Sequence, residues 1–141
     1  MYDDILLPTD GSEGTERAME HAFAVADQYG STVHAVHVVD TSLHTAYSVE
    51  QSVVESLVEA GREPVEQIEQ AGSEAGIEVT GTVLEGIPDE QILRYARDND
   101  VDLIVMGTHG RTGVGRYLLG SVTEKVVRAS DIPVMTVGLE A

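Results

Sequence analysis

The chain has no cysteine, and a single lysine, Lys125, stands beside seven arginines. Without cysteine there are no disulfides and no thiolate metal sites, which suits a reducing compartment. Apolar runs stop after a few residues, far short of the roughly 18 that would span a bilayer. The opening Met1-Tyr2-Asp3-Asp4 is acidic and leads straight into a strand-like segment, unlike the start of a secretion signal. No internal repeat, low-complexity tract or linker interrupts the rest. The expectation is a cytoplasmic protein with no membrane association. Two common phosphate-binding motifs are missing as well. No Gly-x4-Gly-Lys-Ser/Thr occurs, and Gly113-Val-Gly115-Arg-Tyr-Leu118 fails the dinucleotide pattern at its third glycine.

Basic residues are scarce throughout, and the net charge is -17. A phosphate backbone would be repelled, so nucleic acid is excluded as a partner. Strong acidity with little lysine fits a high-salt cytoplasm, where the Debye length falls to about 3 Å and self-repulsion is screened; an ordinary acidic protein is the alternative. The 141 residues, 42% of them apolar, suffice for one core, so residues 1–141 read as a single domain.

Two kinds of segment alternate along the chain. Ile5-Leu6-Leu7, Thr32 to Val39, Ile77 to Leu84, Val101 to Met106 and Val134 to Val137 are short and rich in Val, Ile and Leu, as strands are. Between them lie helical patterns. Ala18, His21, Ala22, Val25 and Ala26 share a face, as do Val54, Leu57, Val58, Val65 and Ile68, and then Ile92, Leu93 and Ala96. Strands apolar on both sides, alternating with helices, predict an α/β domain with a mostly parallel five-stranded sheet between helical layers. Gly30 and Gly76 mark helix ends, and Pro88 marks a helix start. Pro64, following Gly61, predicts a kink or break near residues 61–64. Residues 40–48 read as a loop.

One window departs from the acidic background. Residues 107–123 hold five of the fourteen glycines and two arginines, with no acid, whereas residues 1–106 carry four arginines against 22 acids. Glycine lets backbone N–H groups approach a ligand closely, and a helix start adds unpaired donors and partial positive charge. This is the chemistry of phosphate binding. Ser121-Val122-Thr123-Glu124 has the capping-box spacing and predicts the start of the last helix there. Ser121 then either caps that helix or, with Thr123, binds phosphate oxygens. In an open parallel sheet, ligands sit beyond the carboxyl ends of the strands. Pro8-Thr9-Asp10-Gly11, Val38-Val39-Asp40 and the glycine window all fall at such ends. Asp10 can accept from a ribose or base, or cap the first helix with Glu13 three residues on.

The spacing Gly107-x2-Gly110-x9-Gly120-Ser121 resembles that of the universal stress protein family, in its ATP-binding branch. The resemblance runs along the whole chain: Pro8-Thr9-Asp10-Gly11-Ser12, His37-Val38-Val39-Asp40, Gly86-Ile87-Pro88, Met106-Gly107-Thr-His-Gly110, Leu119 to Glu124, and Ile132 to Val137. It implies a doubly wound sheet of order 3-2-1-4-5 with helices on both faces. It also implies an ATP site in which Pro8, Thr9 and Asp10 line the adenosine end, with Val38 beside the base. Met106 and Gly107 would lead into the pocket, and Gly110, Arg111, Gly120, Ser121, Val122 and Thr123 would wrap ribose and phosphates. Arg116 is left open, and Mg²⁺ would be held chiefly by the phosphates. A homodimer through Val134, Met135, Thr136 and Val137 is implied too, and an apolar edge strand is disposed to pair in that way.

No protein metal site is expected. His34 and His37, three apart on a strand, face opposite sides, and His21 and His44 are isolated. No catalytic residue is assigned. The leading reading is a nucleotide-responsive regulatory module. A slow ATPase or phosphotransferase, with His109 as a weak candidate base, and a ligand-free dimeric scaffold are its alternatives.

Overall fold

The computed structural model describes residues 1–41, 51–108 and 115–138. Among them are five strands and four helices: β1 (Asp4–Pro8), α1 (Glu13–Tyr29), β2 (Thr32–Asp40), α2 (Gln51–Ala75), β3 (Glu78–Gly86), α3 (Pro88–Asp98), β4 (Leu103–Gly107), α4 (Gly115–Ala129) and β5 (Val134–Val137). The strands form one parallel sheet in the order β3-β2-β1-β4-β5. Central β1 pairs Ile5 with Val33 on one side and with Leu103 on the other. The chain builds outward from β1 to β3, then returns to the opposite side of β1 for β4. The topological switch therefore lies between β1 and β4.

Side chains alternate along each strand, so each strand feeds two cores. Ile5, Leu7, Val33, Ala35 and Val105 pack with Ala18, Ala22 and Ala26 of α1 and with Val65 and Ile68 of α2. Leu6, Val36, Ile104 and Met106 pack on the other face with Ile92 and Ala96 of α3 and Val126 of α4. Ile5, Leu6 and Leu7 are fully buried, each stabilising the fold by about 1.5–3 kcal/mol. This double burial explains why β1 shows no polar alternation.

Local signals set the helix ends. Gly30 adopts φ 68° and donates its N–H to the Ala26 carbonyl at 2.7 Å, closing α1 in a left-handed cap. Pro88 opens α3, followed by Asp89 and Glu90 at the positive end of the helix.

Of the kink or break expected near residues 61–64, the break does not occur: α2 runs as one helix from Gln51 to Ala75. Proline inside a helix costs about 3 kcal/mol, but buried Gly61, Val65, Ile68 and Gly72 clamp the helix to the sheet around it. The approach is close: a Cβ on Gly72 would lie 2.3 Å from Val79 Cγ2, and one on Gly81 would lie 2.3 Å from Val65 Cγ1. The last helix starts at Gly115, not at Ser121. Ser121 therefore sits in the second turn, and the N–H groups left without a partner inside the helix are those of residues 115–118. No helix among the described residues is long and apolar enough to cross a membrane.

Candidate functional site

β1 delivers Pro8 to the carboxyl edge of the sheet, and the segment after it is held by its own polar groups. Thr9 is buried, its N–H donating to the Val36 carbonyl at 2.8 Å as if the β1–β2 ladder continued. Its Oγ1 accepts from the Gly11 N–H at 3.0 Å, where Gly11 has φ 81°. Asp10 Oδ1 accepts from the Ser12 N–H at 2.9 Å and from the Thr15 hydroxyl at 3.2 Å. Ser12 occupies the N-cap position of α1 without a side-chain cap bond, so Asp10 organises the helix start from two residues upstream. Its carboxylate thus has a structural duty in addition to any contact with a ligand.

β2 and β4 bring the neighbouring residues. Val38 is half-buried on the α3/α4 face, and Met106 is buried beneath the same region. Gly107 ends β4 against the first turn of α1, where a Cβ would come 2.8 Å from the Gly14 carbonyl oxygen. Thr123 is buried on α4 and donates its hydroxyl to the Gly107 carbonyl at 2.9 Å. Its proton is thereby committed to joining α4 to β4, and the oxygen lone pairs remain as acceptors. Gly120 is half-exposed; among the described residues, the Thr108 carbonyl oxygen is the one atom near a would-be Cβ, at 3.8 Å. Ser121 is exposed, and Val122 packs toward the α3/α4 core. Gly110, Arg111 and His109 lie outside the described residues, as does the side chain of Arg116.

Pro8, Thr9, Asp10, Val38, Met106 and Gly107 thus meet at the carboxyl ends of three adjacent strands beside the switch point, with Thr123 tethered to the same place. Sequence reasoning missed two contributors, His37 and Gly61. The His37 Nδ1 donates to the Thr9 carbonyl at 2.8 Å, and its ring lies under Gly61 of α2. Both line a cavity of about 560 Å³, bordered also, among the described residues, by Gly11, Val38, Asp40, Leu57 and Pro64. The signal that could have found His37 is its position one residue before Val38 at a strand end, with the opposite pleat.

His34 does face the other way. Its Nδ1 meets the Tyr95 hydroxyl at 2.8 Å and its Nε2 meets Asp4 Oδ1 at 2.9 Å, deep on the α3 side. With Asp4 ionised, Nε2 carries a hydrogen, and in the neutral ring Nδ1 then accepts from the tyrosine hydroxyl. Among the described residues there is no group of three or more His, Asp or Glu able to hold a metal ion.

The family model described as the universal stress protein family matches residues 1–138. The universal stress protein MJ0531 of Methanocaldococcus jannaschii is 38% identical over 140 residues, which cover 97% of this chain and 82% of that protein. The solved structure of the protein MJ0577 from the same organism superposes with a TM-score of 0.86 at 37% identity, over 98% of this chain and 96% of its own. A universal stress protein from Archaeoglobus fulgidus in complex with dAMP shares the fold, with a TM-score of 0.72 at 22% identity over 96% of this chain and 97% of its own.

Proposed function

The chain belongs to the universal stress protein family, and from that premise we propose that it is a cytoplasmic regulatory module that binds ATP beside the β1–β4 switch point. The observation that carries the reading is the convergence of Pro8, Thr9, Asp10, Val38, Met106 and Gly107 on one edge, next to the acid-free residues 107–123. A protein of the same fold binds dAMP.

Adenosine would rest on Pro8 to Asp10 with Val38 beside the base, while Met106 and Gly107 form the inner wall. The phosphates would be met by Gly110, Arg111, Gly120, Ser121, Val122 and Thr123. The residues fit an anion. Ser121 offers an exposed hydroxyl, and the backbone at Gly120 is open to close approach. Hydrogen bonds to a charged phosphate stabilise by about 1.5–3 kcal/mol each, so two or three suffice for moderate affinity. Mg²⁺ would neutralise phosphate charge from the solvent side, with few protein ligands. Among the described residues β5 lies at the sheet edge and pairs with β4 alone, and it would form the homodimer contact through Val134 to Val137.

Calorimetry with ATP and Mg²⁺ at high salt tests the reading. The expected dissociation constant is micromolar, about -8 kcal/mol. Gly110→Val should remove binding while leaving the circular dichroism spectrum unchanged. Absence of binding by any adenine nucleotide below millimolar concentration would refute the proposal.

A further inference from the structure

The segment joining β1 to α1 is fixed chiefly by bonds among its own residues: Gly11 to Thr9, and Ser12 and Thr15 to Asp10. From β2 come the backbone carbonyl of Val36, accepting from the Thr9 N–H, and the side chain of His37. Because a carbonyl oxygen can only accept, His37 Nδ1 carries the hydrogen in its 2.8 Å contact with Thr9. That hydrogen is present in both the neutral and the protonated ring, so the contact does not depend on the charge of the imidazole.

The orientation matters because of peptide geometry. There is no cis peptide among the described residues, and in a trans unit the C=O and N–H point opposite ways. Drawing the Thr9 carbonyl toward the α2 side turns the Asp10 N–H away from α2. Asp10 and the nucleotide-facing side of the loop are thereby set by a side chain that does not belong to that side. The ring is itself confined. A Cβ on Gly61 would lie 2.5 Å from His37 Cδ2 and 3.2 Å from Nε2. The backbone of α2 therefore presses on the imidazole, and only glycine at position 61 leaves room for it.

We propose that His37 is a positioning residue of the nucleotide site: held beneath Gly61, it fixes the Thr9–Asp10 peptide in the orientation that binds the adenosine portion of ATP. This rests on the ATP-binding reading and adds to it a residue that touches no nucleotide.

Three variants test the assignment. In His37→Asn the side-chain amide N–H replaces Nδ1–H at the same distance from the backbone. His37→Leu keeps the bulk and loses the donor, and Gly61→Ala displaces the ring. Calorimetry with ATP should give affinity within about two-fold of wild type for His37→Asn and about five-fold weaker for His37→Leu, the factor expected for one hydrogen bond. Gly61→Ala should weaken binding in the same direction. Equal weakening by His37→Asn and His37→Leu, or wild-type affinity in His37→Leu, overturns the positioning role while leaving the ATP site intact. Absence of ATP binding by the wild-type chain overturns both. Imidazole ¹⁵N spectra of the wild-type protein keep the idea exposed even if a variant fails to fold. The Nδ1–H form is expected for neutral His37, and the Nε2–H form would refute the contact.

Discussion

Gly14 and Gly107 meet backbone to backbone, leaving no room for a Cβ on Gly107, which would sit 2.8 Å from the Gly14 carbonyl oxygen and 3.0 Å from its carbon. The first turn of α1 thus rests directly on the end of β4, and the glycine at 107 serves packing. Gly107→Ala should destabilise the fold by about 1–3 kcal/mol, the usual cost of overfilling a tight contact. Gly120 differs: it lies inside α4, has no positive φ, and among the described residues a Cβ there would meet one atom, at 3.8 Å. Gly120→Ala should raise stability, by up to about 1 kcal/mol, while weakening ATP binding. Urea unfolding and calorimetry on the two variants separate these effects. An unchanged urea midpoint for Gly107→Ala would contradict the packing role.

Asp10 joins the loop to α1 through Ser12 and Thr15. Asp10→Asn retains Oδ1 as an acceptor, and Asp10→Ala does not. The alanine variant should lose about 1 kcal/mol of stability as well as ATP affinity. The asparagine variant should keep most of its stability. Thermal unfolding of both, without nucleotide, checks the ordering.

The Tyr95–His34–Asp4 chain spans α3, β2 and β1, with His34 only 9% exposed. Tyr95→Phe leaves the His34 Nδ1 without its partner in a site water barely reaches. A loss of about 1–3 kcal/mol is expected, read from the urea midpoint. A change of a few tenths would show that solvent replaces the hydroxyl.

Much of the fold was legible because double burial leaves strands such as Ile5-Leu6-Leu7 plainly apolar, and because Gly30 and Pro88 punctuate helices by backbone chemistry alone. Pro64 does not break α2, since sequence carries the local cost of proline but not the sheet contacts of Gly61 and Gly72 on either side of it. The start of α4 was misplaced for a related reason. Ser121-x-x-Glu124 has capping spacing, yet residues 115–120 are already helical. At the carboxyl edge of the sheet, the places of Pro8 to Asp10, Val38 and Gly107 at strand ends were legible from the strand pattern, and Met106 came from the family resemblance. His37 was not, because its partner Thr9 is 28 residues away. The packing of Gly107 on Gly14 was not legible either, because the two are distant in sequence.

Dimerisation should depend on the open edge of β5. Met135 packs against the α1/α2 core, whereas Thr136 is exposed. Thr136→Lys therefore places charge on the edge without disturbing the interior. The wild-type chain should sediment as a dimer and the variant as a monomer, both with unchanged circular dichroism. A monomeric wild type at working concentration would rule out this contact.

Salt should stabilise the protein. Raising ionic strength from about 0.1 M to 1 M shortens the Debye length from roughly 10 Å to 3 Å, which screens repulsion in a chain of net charge -17. It also weakens exposed pairs such as Arg62–Glu59 and Arg94–Asp98, but such pairs contribute only about 0–1 kcal/mol. Repulsion is the larger effect, so the unfolding temperature should rise. Calorimetric scans across that range provide the check, and a fall would mean that the exposed pairs matter more.

The glycine seam under α2 ties distant parts of the sequence to a shared fate. Val79 fills the space that Gly72 vacates, Val65 the space at Gly81, and His37 the space at Gly61. A larger residue at Gly61 needs His37 to give way, one at Gly81 needs both Val65 and Glu69 to move, and at Gly72 the Ile77 carbonyl, 2.9 Å from a would-be Cβ, resists it whatever replaces Val79. Divergence at Gly61 of α2 is therefore inherited by β2, and divergence at Gly81 of β3 by α2.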